Sequence, residues 1–477
     1  MDVLEKMSSQ EYHEGIFRAL KEQDGQIYKL IAREYERLQN NLQLIAAENQ
    51  CSRAVLAALG SIVQNKTTEG FPGARYHGGC EVVDDVERLA VARAKETFGA
   101  QYANVQPHSG TAANQIVLTA VLERGDKILS LGLDQGGHLS HGAKVSFSGK
   151  FFEVEHYYVD KQTFLLDYDA IRDKAMAFKP KLIICGASAY SRIIDFHKFR
   201  QIADEAGAYL MADISHIAGL VIAGAHPSPI DQAHFTTTST YKPGGPRGGL
   251  ILMGKEFDTA LSDRSDRSDR SDGRPTGRTA LWEHIQKTTF PGVQGTPYLN
   301  NVAAKAVFFK ETLSQEYRAR QLRIVQNAQR LADDLLGLGY DVLTGGTDNH
   351  IVLVNVARGT GDEARGPSRP SSIFRRPSLT GLIAQRCLED CGIIVNKNRL
   401  PYDPQSAAVT SGIRLGTPIV TKNGMEPEQM DTIAALIDPA LRQVKVVSDK
   451  EYQLDSSLRD QTKDKVRELC HKFPMRG

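Results

Sequence analysis

Lys242 is the residue best placed in this chain for covalent chemistry with a carbonyl compound. It ends the segment TTTSTYK at 236–242, and the turn PGGPRGG at 243–249 follows it directly. The β-branched threonines favour an extended strand, and the glycines let a bulky ligand approach the backbone closely. A lysine amine becomes a nucleophile when burial lowers its pKa, so Lys242 could hold a carbonyl cofactor as a Schiff base. Taken alone, the same pattern also fits a solvated lysine beside a turn.

Three further segments supply groups that a phosphorylated pyridine cofactor needs. The small residues of HSGTAAN at 108–114 precede a helical pattern and leave N–H groups free for a phosphate. Asp213 closes an apolar strand, where its carboxylate could pair with a protonated ring nitrogen. His138 follows two glycines and could stack on a flat ring. Each feature also fits a helix cap or a structural histidine, but together with Lys242 they are the parts of a pyridoxal phosphate site.

Strand and helix patterns alternate in the region that must position these groups. Apolar, β-rich runs occur at 127–131, 181–185 and 209–213, and helical patterns occur at 110–123 and 199–206. Such βα repeats predict a mostly parallel sheet that is covered by helices. Ligands of these sheets bind at the carboxyl ends of the strands, which is where Asp213 falls.

The length of 477 residues exceeds what one compact core can hold. We predict an N-terminal arm at 1–45, a large cofactor-binding domain at 46–302 and a smaller C-terminal domain at 303–477, which opens on a long helical pattern at 303–336. The Ser-Asp-Arg repeat at 262–273 contains no apolar residue and is predicted to be a mobile surface loop. Residues 358–378 are rich in Arg, Pro, Gly and Ser and are predicted to be a second exposed insertion.

The composition argues against several classes of partner. The chain has 58 basic and 57 acidic residues, so it has no large net positive charge that would attract nucleic acid or an anionic membrane. The start MDVLEK is charged, and no apolar run approaches the roughly eighteen residues of a membrane span. We therefore expect a cytoplasmic protein. The 6 cysteines are expected to be reduced and mostly buried, and no metal site is predicted because no second Cys or His pair complements Cys387 and Cys391.

A series of ordered stretches matches one known family. They are LIAAEN at 44–49, EGFPGARYHGGCE at 69–81, YANVQPHSG at 102–110, GHL at 137–139, FSGK at 147–150, SAYS at 188–191, GGTDNH at 345–350, VNKN at 395–398 and TSGIRLGTP at 410–418. Over about residues 40–470 the chain thus resembles the serine hydroxymethyltransferase family. The resemblance implies fold type I of the pyridoxal phosphate enzymes, which is aspartate aminotransferase-like. That fold has a large α/β domain with a mixed, mostly parallel sheet and a smaller C-terminal α/β domain.

The resemblance also implies a homodimer with shared active sites, a tetramer being left open, and tetrahydrofolate as co-substrate. Pyridoxal 5'-phosphate would be covalently held by Lys242 and contacted by Ser109, Gly110, His138, Ser188, Asp213, His216 and, across the dimer, Gly295. The implied catalytic residues are Lys242, His138, Asp213 and, again across the dimer, Glu69, whose carboxyl group would handle protons. The amino acid would contact Arg414, Thr67, Tyr76 and His77, with Arg414 gripping its carboxylate. Tetrahydrofolate would contact Glu69, Tyr76, Leu133, Gly137, Leu139 and Asn398.

Several positions depart from the family's pattern. Thr67 stands where the family has tyrosine, Ala47 where it has serine, His77 where it has a second tyrosine, and Tyr241 where it has histidine. Val293 and Thr296 replace glycines, and the turn after Lys242 is one residue shorter. Replacing tyrosine by Thr67 removes a ring beside the substrate's Cα and makes room for a methyl group, a difference of about 1–3 kcal/mol in discrimination. The pattern resembles 2-methylserine hydroxymethyltransferases, so we favour 2-methylserine and D-alanine as the substrate pair.

Three alternatives stay open at this point. An ordinary serine hydroxymethyltransferase would interconvert serine and glycine with the same residues. A folate-independent aldolase would need the cofactor residues, but Glu69, Tyr76 and Asn398 indicate a retained folate pocket. A non-catalytic homologue would be expected to lose Lys242, Asp213 or Arg414, and the chain keeps all three.

Overall fold

The first elements in the described part of the chain are two helices of the N-terminal arm. The computed structural model describes residues 9–255, 257, 261–265, 278–357 and 379–476. Helices α1 (Ser9–Gln23) and α2 (Gly25–Asn40) are separated by Asp24, whose carboxylate accepts from the first backbone N–H groups of α2. The two-residue strand β1 (Leu42–Gln43) follows. Helix α3 (Arg53–Leu59), the hairpin strands β2 (Gly70–Phe71) and β3 (Ala74–Arg75), and helix α4 (Glu81–Phe98) lead into the main sheet.

A seven-stranded sheet forms the centre of the large domain. Its strands are β4 (Tyr102–Asn104), β5 (Lys127–Leu131), β6 (Glu153–Tyr157), β7 (Leu182–Cys185), β8 (Tyr209–Asp213), β9 (Phe235–Ser239) and β10 (Gly249–Met253), in the order β4-β10-β9-β8-β7-β5-β6. The five strands from β9 to β6 are parallel, and β10 is antiparallel to both of its neighbours. The sheet is therefore mixed and mostly parallel, as predicted.

Helices cover both faces of this sheet. They include α5 (Gly110–Val121) on one face and α7 (Tyr168–Phe178), α8 (Phe196–Ala206) and α9 (Ala218–Ala223) on the other. The short helix α6 (Phe147–Phe151) precedes β6. Consecutive strand residues alternate between two apolar cores: Ile183 belongs to one core, and its neighbours Leu182 and Ile184 belong to the other. The predicted strands at 127–131, 181–185 and 209–213 and the helices at 110–123 and 199–206 are confirmed within about two residues, except that the last helix begins at Phe196.

The Ser-Asp-Arg repeat differs in part from the prediction. Strand β11 (Leu261–Ser265) pairs antiparallel with β12 (Arg278–Ala280). The loop prediction is therefore wrong for residues 262–265, because a ladder of backbone hydrogen bonds does not require apolar side chains. Residues 266–273 of the repeat lie outside the described residues, as does the second predicted insertion at 358–378.

The helical pattern at 303–336 belongs to two helices. After α10 (Leu281–Lys287) come α11 (Leu299–Thr312) and α12 (Gln315–Gly337). Ser314 separates the last two because its hydroxyl accepts from the backbone N–H of Tyr317 at 3.1 Å, which caps α12. Helix α11 packs in the core of the large sheet, and α12 contributes to that core and to the next.

The C-terminal part has its own antiparallel sheet and core. Strands β13 (Asp341–Val342) and β14 (Ile351–Asn355) precede α13 (Gly381–Asp390), β15 (Ile393–Ile394), β16 (Asn396–Asn398) and β17 (Gly412–Gly416), and the sheet order is β13-β14-β17-β16. Helices α14 (Pro418–Lys422), α15 (Pro427–Gln443) and α16 (Ser456–Lys472) complete this part, with β18 (Lys445–Val446) and β19 (Tyr452–Gln453) between the last two. Strand β1 of the arm pairs in parallel with β15. The predicted domain boundaries stay predictions.

Two smaller expectations concern the cysteines and the membrane. The six cysteines are unpaired, and all but Cys51 are buried, which agrees with the sequence expectation. Among the helices that the structure describes, none has both the length and the apolar character needed to cross a membrane.

Candidate active site

A cavity of about 180 Å³ opens at the carboxyl ends of the parallel strands β7, β8 and β9. It is lined by Ser109, Gly110, Thr111, His138, His141, Ala187, Ser188, Asp213, Ser215, His216, Ser239, Tyr241, Lys242 and Arg247. Seven of the residues predicted for the site thus converge here: Ser109, Gly110, His138, Ser188, Asp213, His216 and Lys242. Tyr241, one of the positions that depart from the family's pattern, also lines the cavity. The strand ends and the start of α5 bring them together from distant parts of the chain.

The start of α5 forms a cradle for an anion. The hydroxyl of Ser109 accepts from the backbone N–H of Ala112 at 3.0 Å and so caps the helix. A Cβ added to Gly110 would lie 3.2 Å from the backbone nitrogen of Ser239, so a larger residue would crowd the cradle. The hydroxyl of Ser239 is buried and has no hydrogen-bond partner among the described residues. A phosphate oxygen would satisfy it.

Asp213 is held as a carboxylate by its neighbours. One carboxylate oxygen accepts from Asn114 Nδ2 at 2.8 Å and lies 3.0 Å from His141 Nε2, and the other accepts from the backbone N–H of Ser215 at 3.0 Å. Burial opposes the charge, but the hydrogen bond and charge of His141 outweigh it and hold the pKa of Asp213 well below its usual value. An ionised acid at this position can pair with a protonated ring nitrogen.

Lys242 and His138 both have pKa values that are shifted toward their neutral forms. Burial is the main cause for Lys242 and lowers the pKa of its amine to about 8, with smaller contributions from the charges of Arg414 and Arg247. Burial also lowers the pKa of His138 to about 4, with a further contribution from His141. A neutral amine is a nucleophile, and a neutral imidazole can stack on a ring without opposing a positive ring nitrogen.

Arg414 lies beside the cavity with no acidic partner among the described residues. It stands on β17, and its guanidinium donates to Asn396 Oδ1 on β16 at 3.1 Å and to the backbone carbonyl of Ser188 at 2.5 Å. Burial lowers its pKa to about 10, so the group is still charged at neutral pH. A buried cation that lacks a counter-ion is a natural site for a substrate carboxylate.

One comparison with known proteins decides the family. The family model described as serine hydroxymethyltransferase matches residues 20–437. The chain belongs to the serine hydroxymethyltransferase family. Members of this family have fold type I and use pyridoxal phosphate on a lysine and tetrahydrofolate as co-substrate, in transferring a hydroxymethyl group.

The residues present fit the cofactor of a serine hydroxymethyltransferase. When bound, pyridoxal phosphate withdraws electrons from the Cα of the amino acid. The unpartnered Ser239 hydroxyl suits its phosphate, the Asp213 carboxylate suits its ring nitrogen, and the amine of Lys242 suits its aldehyde. The ligand atoms of His138, His141 and Asp213 also lie within 4.8 Å of one another, close enough to share a metal ion.

The remaining predicted residues do not line this cavity. Thr67, Tyr76 and His77 are exposed, and Glu69 is half-buried. Glu69 lies close to Gly295, since a Cβ added to that glycine would be 3.6 Å from Glu69 Oε1. The Tyr76 ring packs edge-on against Phe290 at a centroid distance of 5.3 Å. These residues therefore form a second, open group on the surface of the same chain.

The residues implied for folate stand at different depths. Leu133 and Leu139 are 46% and 49% exposed, and Leu139 directly follows the cavity residue His138. Gly137 lies against the backbone of β5, where an added Cβ would meet the carbonyl oxygen of Leu131 at 2.2 Å. Asn398 ends β16, two residues from the partner of Arg414.

Several residues in or next to the cavity were not predicted from the sequence. His141 is the second histidine of the segment that contains His138, and it is the one that contacts Asp213. Asn114 is tied on its other side to Thr237, whose hydroxyl donates to Asn114 Oδ1 at 2.6 Å. Arg247 lies over the ring of Tyr241, with 4.1 Å between the guanidinium carbon and the ring centroid. The spacing of His141, three residues after His138, is the sequence feature that could have placed it at the same site.

Proposed function

We propose that this hydroxymethyltransferase acts on 2-methylserine and D-alanine in preference to serine and glycine. In the forward direction the bond from Cα to the hydroxymethyl carbon breaks and Cα gains a proton, which gives D-alanine. The one-carbon unit joins two nitrogens of tetrahydrofolate with loss of water and gives 5,10-methylenetetrahydrofolate. The observation that carries this proposal is Thr67, which stands where the family has tyrosine.

Thr67 determines how much room there is beside Cα. It lies two residues before Glu69 and is exposed within its own chain, in the surface group that includes Gly295. We infer that this group reaches into the site of a second copy, so that the small threonine faces the substrate there. A methyl-sized difference in such a wall contributes about 1–3 kcal/mol to discrimination, which is enough to change the preferred amino acid.

The residues of the main cavity have separate roles in this proposal. Lys242 holds the cofactor covalently, Asp213 pairs with its ring nitrogen, and His138 stacks on the ring. Ser109 and Gly110 bind the phosphate, with Gly295 supplied by the partner. Ser188 and His216 contact the side of the ring that carries the phenolic oxygen. Burial and the charges of Lys242 and Arg414 lower the pKa of His216 well below its usual value, which supports a neutral ring at that position.

The substrates are held by a different set of residues. Arg414 binds the amino acid carboxylate, a task that suits its two-pronged guanidinium. Glu69 of the partner moves a proton at the hydroxymethyl oxygen and at the folate. Tyr76 and His77 line the amino acid side, while Leu133, Gly137, Leu139 and Asn398 complete the folate pocket with Glu69 and Tyr76. The proposal includes a homodimer, because neither group of residues makes a complete site alone. It also includes a cytoplasmic location.

The test compares substrates with the purified enzyme. The kcat/KM for 2-methyl-L-serine and for L-serine is measured with and without tetrahydrofolate, and D-alanine and glycine are identified as products. We expect 2-methyl-L-serine to be the better substrate and its cleavage to require tetrahydrofolate. Faster turnover of L-serine would make the protein an ordinary serine hydroxymethyltransferase. Equal aldehyde release without tetrahydrofolate would make it an aldolase.

A further inference from the structure

Lys305 is a buried lysine that the reaction described above does not use. It lies on α11, and its residue is 1% exposed. Its ammonium group donates to three backbone carbonyls, those of Val105 at 2.6 Å, Gly249 at 2.8 Å and Pro107 at 3.2 Å. A lysine ammonium has three protons to donate, so these carbonyls satisfy it completely. Within the described part of the chain, no carboxylate forms an ion pair with it.

The three carbonyls belong to the two segments that carry the cofactor site. Val105 and Pro107 lie between β4 and α5, directly before the cradle at Ser109. Gly249 begins β10, at the end of the turn that follows Lys242. The two segments also bond to each other, since the backbone N–H of Gly249 donates to the Pro107 carbonyl at 2.9 Å. Lys305 therefore bridges the cradle to the turn after Lys242.

The atoms around Lys305 are closely packed. A Cβ added to Gly249 would lie 2.1 Å from the carbonyl oxygen of Ser109. A Cβ added to Gly248 would lie 2.4 Å from Lys305 Cε. The turn residues 248–249 are thus in close contact with the Lys305 side chain on one side and with the backbone of Ser109 on the other. A shift of the ammonium group would be passed to Ser109 through direct contacts.

We propose that Lys305 is a positioning residue that fixes the phosphate cradle relative to Lys242. A chain that only had to fill this space would do so at lower cost with methionine or leucine, because burying a charged amine is unfavourable. That cost is visible in the amine, whose pKa burial lowers to about 7. The inference rests on the proposed roles of Ser109, Gly110 and Lys242, and it adds the side chain that fixes their relative positions.

The experiment measures cofactor binding rather than turnover. Apoenzymes of wild type, Lys305→Met and Lys305→Gln are titrated with pyridoxal phosphate, and the circular dichroism of the bound cofactor is recorded in the visible range. Lys310→Met is the matched control, because Lys310 lies on the same helix and is exposed. We expect the cofactor Kd of Lys305→Met to rise about tenfold or more, with a changed visible band. Lys305→Gln keeps two donors and should lie between, and Lys310→Met should match wild type.

Each other outcome overturns the proposal or its basis. Wild-type cofactor affinity and an unchanged visible band in Lys305→Met would remove the positioning role. Failure of both Lys305 variants to fold, while Lys310→Met folds, would make Lys305 a general core residue. The variant Lys242→Ala tests the basis separately: if it still forms a borohydride-reducible link to the cofactor, the assignment of Lys242 is wrong whatever Lys305 does.

Discussion

The pKa of Lys242 results from opposing effects in a small space. Burial disfavours the charged amine, and the nearby guanidinium groups of Arg414 and Arg247 act in the same direction, while the Asp213 carboxylate opposes them. The balance lowers the pKa from 10.5 to about 8. A substantial fraction of the amine is therefore neutral near physiological pH, which covalent capture of an aldehyde requires.

This balance predicts the pH dependence of cofactor attachment. The neutral amine is the reactive form, so the rate at which apoenzyme captures pyridoxal phosphate should rise with pH through about 8 and level off above it. Stopped-flow absorbance of the bound cofactor gives the rate, and Nα-acetyl-lysine under the same buffers corrects for ionisation of the cofactor itself. A rate that keeps rising toward pH 10.5, the ordinary lysine value, would contradict the inferred environment.

The sequence revealed only part of this site. Lys242, Asp213 and Ser109 could be predicted because each stands at a strand end or a helix start, and such ends meet at one edge of a parallel sheet. Asn114 and Ser239 could not, because their roles depend on which side chains face each other across α5 and β9. The grouping of Glu69 with Gly295 depends on contacts between segments more than two hundred residues apart, which no local pattern encodes.

At the scale of elements, α4 holds the segment that carries Glu69. The guanidinium of Arg75 on β3 bonds to Asp84 at 2.8 Å and to Glu87 at 2.5 Å, and both acids belong to α4. It also donates to the backbone carbonyls of Thr68 and Gly70 at 2.9 and 2.7 Å. These carbonyls flank Glu69, so one buried side chain fixes the backbone on both sides of the proposed catalytic acid.

Removing the Arg75 side chain should destabilise the fold. Arg75→Leu leaves the buried Glu87 carboxylate without an ion-pair partner and leaves Asp84 only its longer pair with Arg88, so it should lower the free energy of unfolding by about 3–5 kcal/mol. Arg88→Leu is the matched control, since Arg88 also pairs with Asp84, at 3.6 Å, but its side chain is 54% exposed, and its loss should cost about 1 kcal/mol or less. Urea unfolding followed by circular dichroism measures both. Equal midpoints for the two variants would contradict this account of the network.

Element prediction succeeded where burial and pattern agree. The apolar strands of the large sheet were predicted because strands buried on both faces read as continuous apolar runs. The break between α11 and α12 was missed because helical spacing continues across Ser314, and only the cap geometry separates the two helices. Strand β11 was missed because its pairing depends on backbone groups and on the position of β12, not on its own side chains.

At the scale of the whole molecule, the proposed catalytic groups fall into two sets. Lys242 and Asp213 line the cavity, and Arg414 bonds to the backbone carbonyl of the lining residue Ser188. Glu69 and Gly295 instead lie together in an open group that does not line the cavity. A C2 dimer can bring the open group of one subunit to the cavity of the other, because its interface uses the same surface on both subunits. Each dimer would then have two sites, each built from both chains.

Subunit exchange tests this arrangement. Glu69→Gln and Lys242→Ala homodimers should each be inactive, yet mixing them should restore up to about one quarter of wild-type activity. Half of the exchanged dimers are hybrids, and one of the two sites in each hybrid contains both intact residues. Each variant mixed with itself is the control, and exchange is verified with differently tagged subunits. Proven exchange without recovered activity would contradict a shared site.

Thr67 is the residue that most directly tests the proposed preference for 2-methylserine over serine. The measurement is the ratio of kcat/KM for 2-methylserine to kcat/KM for serine, in wild type, Thr67→Tyr and Thr67→Val. Tyrosine fills the space proposed for the α-methyl group, so it should lower the ratio about 10–200-fold, whereas valine keeps the size of threonine and should leave the ratio nearly unchanged. Wild type should favour 2-methylserine. A wild type that prefers serine, together with a Thr67→Tyr variant whose ratio does not change, would contradict the claim.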